Sequence, residues 1–264
     1  MADSWRLITD ASKSGAENMA VDEAMVRGLE YRVQALPTLR LYGWSAPTIS
    51  IGYLQDAGPF KDAGIPVVRR MTGGRAVLHD AELTYGVAAP SAHRLFAGGI
   101  MDAYRVISAC IASALNDVGI DAGLSERKSA GGKAANPACF YAPSRYEVLV
   151  DGRKLAGSSQ RRFKDAFIQH GSILFGLDEG LNSRLFGKDA VEKAAWVRAY
   201  KEVDTAAFSE KLISRMAEGF NASFELSALN ETEDCLRQSL LECKYSKDEW
   251  NLCGSEGTPT IKGI

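Results

Sequence analysis

The segment from Ile100 to Val118 constrains the fold most, because Ile100, Tyr104, Ile107, Ile111, Leu115 and Val118 repeat at a helical period and the run stops at Gly119. A helix with one apolar stripe cannot bury it alone, so the chain must supply an apolar surface, and the reading is a helix packed on one face of a sheet. A second helix is marked by Phe208, Leu212, Met216 and Phe220. Residues 15–30 read as a third, with Val21, Met25 and Leu29 four apart, Val26 beside them and Asn18 as the cap.

Between these helices lie short strand-like runs: Thr38 to Trp44, where Leu39 and Leu41 alternate with Arg40 and Tyr42, then Thr48 to Tyr53 and Ile65 to Arg70. Pro47, Gly58-Pro59 and Gly64 punctuate them. Tyr146 to Val150 and Lys154 to Ser158 flank Asp151-Gly152, a dipeptide suited to the positive φ angles of a tight hairpin turn. Phe167 to Leu174 reads as a further strand. Strands and helices mix without a regular β-α-β alternation, which predicts an α+β fold, a mixed sheet sandwiched by helices. The 264 residues suit one large domain over 1–230. Residues 231–264 read as a short appendage, helical around Leu236, Leu240 and Cys243, ending in a loose tail from Gly254 to Ile264.

Composition removes several function classes. With 46% hydrophobic and 24% charged residues the chain is neither collagenous, disordered nor membranous. Thirty-one basic residues against 33 acidic ones leave a net charge of -2, so no global positive field exists to attract nucleic acid. Met1 to Asp10 lacks the layout of a signal peptide and no run approaches the ~18 apolar residues of a membrane span, so the expected compartment is the cytoplasm. Cys110, Cys139, Cys235, Cys243 and Cys253 form an odd set without a C-x-x-C pair, which predicts reduced thiols and no zinc site; no metal and no cofactor are expected.

Chemistry concentrates in two stretches. In the first, running from Val67 to Asp80, Gly73-Gly74 would let backbone approach a ligand while Arg69, Arg70 and Arg75 could hold a carboxylate or phosphate. Taken alone, two glycines bordered by charge read as an ordinary turn, and His79 as a structural histidine. In the second, Pro137 and Pro143 bracket Cys139 and put it in a loop where a thiol can be exposed, whereas Cys110 sits on the helical stripe and belongs to the core. Lys154 follows the hairpin turn. It reads either as a solvated surface lysine or as an ammonium near the Cys139 loop that favours thiolate.

The run Arg69-Arg70-Met71-Thr72-Gly73-Gly74-Arg75-Ala76-Val77-Leu78-His79-Asp80, with Glu82-Leu83-Thr84-Tyr85, resembles the signature of the biotin/lipoate protein ligase and lipoyl(octanoyl)transferase superfamily. Trp5-Arg6 with Asn18 to Ala24 resembles its opening helix region, and Ser50-Ile51-Gly52-Tyr53 its early strand. Arg153-Lys154-Leu155-Ala156-Gly157-Ser158-Ser159-Gln160 with Gln169-His170-Gly171-Ser172-Ile173-Leu174 resembles its lysine-bearing strand pair. The likeness covers about residues 5–175. Lipoate ligases continue with a third glycine and an Asp-x-Gly-Asn segment, whereas here Arg75 follows Gly74 and Ala81-Glu82-Leu83 follows Asp80. Those departures, with a cysteine shortly before the lysine strand, resemble the ligase-like octanoyltransferases that use octanoyl-acyl-carrier protein as donor.

The resemblance implies Cys139 as nucleophile and Lys154 as its partner, which could also take the proton of the acceptor amine if burial lowers its pKa. It implies Arg70, Thr72, Gly73, Gly74, Ala76, Val77, His79, Gly157, Ser158 and His170 as substrate-binding residues, and a lipoyl domain as acceptor, either glycine cleavage H protein or a 2-oxoacid dehydrogenase subunit. Tyr141, Val77 and Leu78 are candidate walls for an eight-carbon chain. An ATP-dependent lipoate ligase, a biotin ligase and a non-catalytic binding module of the same fold are the rival readings.

Overall fold

The computed structural model describes residues 2–126 and 145–254. The predicted stripe becomes helix α2 (Ile100–Asp117), in which Ile107, Ile111 and Leu115 are fully buried with Ala103 and Ala114. Ile100, the first position of the stripe and the first residue of the helix, is 50% exposed. Helix α5 (Thr205–Phe220) lies beside α2 and buries Phe208, Leu212, Met216 and Phe220 completely. Asp204 caps its start through Ala207 N–H, and Asn221 ends it in the left-handed region at φ 50°.

Both helices cover one face of an eight-stranded mixed sheet. Its strands are β1 (Asp3–Thr9), β2 (Thr38–Tyr42), β6 (Glu82–Pro90), β7 (Ala122–Leu124), β8 (Val148–Val150), β9 (Arg153–Arg162), β10 (Ala166–Leu174) and β11 (Ala222–Leu226), in the order β11-β1-β2-β6-β10-β9-β8-β7. β1 runs parallel to β11 and β2, and every later pairing is antiparallel. The β8–β9 hairpin turns at Asp151 and Gly152 with φ of 50° and 72°, as the dipeptide predicts.

A three-stranded sheet, β4-β3-β5, is formed by β3 (Thr48–Ile51), β4 (Val67–Arg69) and β5 (Val77–His79). Helix α1 (Gly15–Glu30) packs against β6 and β10 on the sheet face away from α2, and against the C-terminal helix α6 (Glu231–Leu240) and the π-helical turn after it, on which helix α7 (Asp248–Asn251) packs. Its cap differs from expectation. Ser14 and Glu17 form a capping box, while Asn18 lies one turn inside, buried, with its amide donating to the Gly43 carbonyl at 2.9 Å. Covered on most sides, α1 also buries Asp22 and Glu23, which only paired charges can tolerate. Helices α3 (Glu179–Phe186) and α4 (Lys188–Glu192) join the small sheet's core through Phe186 and Ala190. No described helix is long and apolar enough to cross a membrane.

Candidate active site

The register of the large sheet sorts its side chains by alternation. Leu39, Leu41, Leu83, Tyr85, Val87, Phe167 and Ile173 belong to the core under α2 and α5. The other alternation sets Arg40 opposite Gly86, Tyr42 opposite Thr84, His170 opposite both Gly86 and Ser159, and Ser172 opposite both Thr84 and Gly157. That polar face looks onto the small sheet, and between them opens a cleft. Met19, Tyr42, Trp44, Ser50, Val77, Thr84 and the strand segments 157–159 and 170–172 line it with Arg70, Gly74 and His79.

Two hydrogen-bonded histidine systems flank this cleft. His79 stacks on Trp44 at 3.8 Å between centroids, places Nε2 2.5 Å from Ser50 Oγ and donates through Nδ1 toward Glu82 Oε1 at 2.8 Å. Glu82 Oε1 also accepts from Thr84 and Ser172, and Thr84 in turn accepts from Trp44 Nε1. Burial holds the imidazolium of His79 below its ordinary range, with Glu82 acting in the opposite sense. His170 contacts Asp22 Oδ2 through Nδ1 and Thr72 Oγ1 through Nε2, both at 2.7 Å. Thr72 Oγ1 lies 2.8 Å from Ser159 Oγ. Burial would raise the Asp22 carboxyl, but the His170 hydrogen bond and the Arg40 charge outweigh it and keep the pKa low. Arg40 reaches Asp22 Oδ1 at 2.7 Å, and Tyr42 OH donates to Oδ2 at 2.9 Å.

The glycine turn is held from inside. Arg70 donates to the carbonyls of Ser50, Gly73 and Arg75 and to Ser50 Oγ, so much of its guanidinium shapes the turn. Arg69 gives Nη1 to the carbonyls of Gly52, Tyr53 and Gln55 and Nε to that of Trp250, which ties the neighbouring loop to the C-terminal helices. A Cβ on Gly52 would sit 2.0 Å from the Gly74 oxygen, and Gly74 itself has φ 94°, so the two loops meet backbone to backbone.

Of the residues singled out in the sequence, Arg70, Gly74, Val77, His79, Gly157, Ser158 and His170 converge on the cleft. Thr72 reaches it through its contacts with His170 and Ser159, and Gly73 is exposed on the turn. Ala76 and Leu78 instead line a neighbouring aliphatic hollow with Leu174, Phe186 and Ala194, which shares Val77 with the cleft. Lys154 is no solvated surface lysine: it is buried, its ammonium 2.6 Å from Glu147 Oε1, with its backbone bonded to Lys193 and Ala195. Glu147 supplies the countercharge that a buried ammonium needs. Cys139 and Tyr141 lie outside the described residues. Cys110 is buried in the α2 core, as expected, and burial pushes its thiol up to about 12. Cys235, Cys243 and Cys253 are exposed, so Cys243 is not part of the apolar set that Leu236 and Leu240 form. Asp22, Ser50 and Ser159 were missed as members of the site. Their signal was their presence in the motif stretches, where Ser50 stands between Ile49 and Ile51, Asp22 beside Glu23 and Ser159 between Ser158 and Gln160.

The family model for the lipoyl protein ligase A/B catalytic domain matches residues 14–214. The chain is 40% identical to an octanoyltransferase LipM of Kyrpidia tusciae and 36% identical to one of Carboxydothermus hydrogenoformans, in each case across 94% of this chain and 98% of the relative. A lipoate protein ligase of T. acidophilum with bound lipoic acid shares the fold at a TM-score of 0.80 and 24% identity, with 96% of this chain and 99% of that one covered.

Proposed function

The chain belongs to the lipoyl protein ligase A/B catalytic family and is an octanoyltransferase of lipoate biosynthesis, and on that premise we propose the donor, the acceptor and the residues that carry the transfer. The donor is octanoyl-acyl-carrier protein, and the acceptor is a lysine of a lipoyl domain, such as glycine cleavage H protein. The work is done in the cytoplasm, where thiols stay reduced. The observation that carries the reading is the likeness to octanoyltransferases along nearly the whole of both chains.

The chemistry runs in two halves. Cys139 thiolate attacks the carbonyl carbon of the donor thioester, the carrier's thiol leaves, and an octanoyl thioester remains on the enzyme. Exchange of one thioester for another is nearly isoenergetic, so no nucleotide is needed. Lys154 is the partner of that thiolate: a fixed positive charge favours the ionised sulfur and the oxyanion of the tetrahedral intermediate. The acceptor's lysine amine then attacks the enzyme thioester and releases Cys139. The cleft between the sheets, walled by Val77, Met19 and Trp44, takes the acyl chain.

The test is to incubate the purified protein with octanoyl-carrier protein without ATP and measure intact mass. One octanoyl adduct, removed by hydroxylamine and mapping to Cys139, is the expected result, followed by transfer to H protein. Strict dependence on ATP with free octanoate or lipoate would reject it in favour of a ligase. Lys154→Arg, which keeps the charge but alters its placement, should slow transfer on the order of a hundredfold.

A further inference from the structure

The hydrogen bonds running from Asp22 to Ser159 have a direction, and it is set at the buried end. The Asp22 carboxylate is held ionised by Arg40, Tyr42 and His170, so it can only accept. His170 Nδ1, 2.7 Å away, therefore carries the hydrogen, and in the neutral ring Nε2 is left with its lone pair. Thr72 Oγ1, 2.7 Å from Nε2, donates to it. Having given its one hydrogen to His170, Thr72 receives the hydrogen of Ser159 Oγ at 2.8 Å. Ser159 lines the cleft, with its lone pairs left to accept. Thr72 is fully buried, which keeps water out of the middle of the chain. Each donor thus points away from the cleft and toward His170.

We propose that Ser159, Thr72 and His170 form the proton exit for the second half-reaction, a role that rests on the acyl-enzyme reading above. As the acceptor's neutral amine attacks, the new carbon–nitrogen bond forms and the carbon–sulfur bond breaks, with the electron pair leaving on sulfur. The surplus proton on nitrogen passes to Ser159 Oγ while the Ser159 proton moves to Thr72 and the Thr72 proton to His170 Nε2. The resulting imidazolium sits against the Asp22 carboxylate, its countercharge already in place. When the product leaves, the proton returns along the same chain to solvent. Lys154, already paired with Glu147, is left to serve the thiolate. Because His170 acts through two hydroxyls, it is a positioning residue of this path, and Ser159 is its contact with substrate.

The two half-reactions separate the proposal from its alternatives. Thr72→Val keeps the shape of the side chain and removes the hydroxyl, whereas Thr72→Ser keeps the hydroxyl. In single-turnover experiments Thr72→Val should pass the acyl group to H protein on the order of a hundredfold more slowly than wild type, a loss at least about tenfold larger than any it causes in forming the octanoyl-enzyme. Thr72→Ser should restore transfer to within about fivefold. Ser159→Ala cuts the same path at the cleft and should give the same split, which keeps the test open if Thr72→Val folds poorly. Wild-type transfer in both Thr72→Val and Ser159→Ala, or an equal loss of acylation and transfer, would overturn the relay while leaving the octanoyltransferase reading standing. Failure of the wild-type protein to form any octanoyl-enzyme would overturn both.

Discussion

Along β6, Leu83, Tyr85 and Val87 belong to the core beneath α2 and α5, while Glu82 and Thr84, one residue out of step, join the hydrogen bonds around His79. The same strands thus present an oily surface on one side and a lattice of charges and hydroxyls on the other. The helix side is held by burial, which is non-directional and tolerant of rearrangement. On the cleft side the interactions are directional and depend on partners: Arg40 with Asp10 and Asp22, His170 with Asp22 and Thr72, His79 with Glu82 and Ser50. Alternation in the pleat lets one sheet do both. Substitutions on the helix side should change stability and leave the chemistry of the folded molecules intact, whereas those reaching the cleft should change chemistry first.

The largest effect is expected at the proposed nucleophile: Cys139→Ala should reduce transfer to background, a loss on the order of a thousandfold or more, with the thermal midpoint unchanged. Rate assays beside differential scanning calorimetry check both halves of the statement. Next comes the opposite case, Phe208→Ala on α5, which should cost about 3–5 kcal/mol in urea unfolding while the rate per folded molecule stays within about twofold. A comparable fall in that rate would mean that the helix face communicates with the cleft. Smaller is Gly52→Ala, where the new methyl meets the Gly74 oxygen. The loops must part at a cost of about 1–3 kcal/mol, and transfer should fall about tenfold through displacement of the turn.

The smallest effect is in the acid limb of stability. Burial lowers the pKa of His79 and of His93, and the Asp22 carboxyl is also depressed, so each binds its proton more readily in the unfolded chain. Stability from the histidines is complete above their unfolded value of about 6.5 and drains away as pH falls through the folded values. Asp22 follows the same sign at lower pH. His79→Gln should flatten the decline in unfolding free energy between about pH 6.5 and pH 5 relative to wild type, and an unchanged slope would leave His93 as its source.

Legibility in the sequence divides along the same line. Helices α2 and α5 could be read from spacing because each has one wet side and one dry side. The turn at Asp151-Gly152 was readable because its backbone angles demand such residues. Helix α1 was harder. It is covered by the sheet and by α6, so polar Asn18, Asp22 and Glu23 are interior and the cap at Ser14 was passed over for Asn18. The burial of Lys154 was invisible because its countercharge, Glu147, comes from a separate strand approach across the hairpin. The Gly-Gly turn and His79 stood out only through resemblance, since a single sequence cannot say that His170 will meet Asp22, 148 positions away. The parallel pairing of β1 with β11 left no trace at all in local pattern.

That pairing has a bearing on how the molecule comes into being. Asp3 is registered with Ala222, and Arg6 forms a bidentate ion pair with Glu233, so β1 finds one of its neighbours only after more than two hundred further residues have been added. At about 5–20 residues per second the nascent chain carries an unpaired, partly apolar edge for on the order of ten seconds or longer. Loop closure over such a span costs little more entropy than over a shorter one, but it places the pairing late in folding. The segment that pairs β11 with β1 also brings in α6, which packs against α1, the helix that supplies Asp22 to His170. A ribosome-bound chain halted before residue 222 is expected to hold α1, and with it Asp22, without the cover of α6.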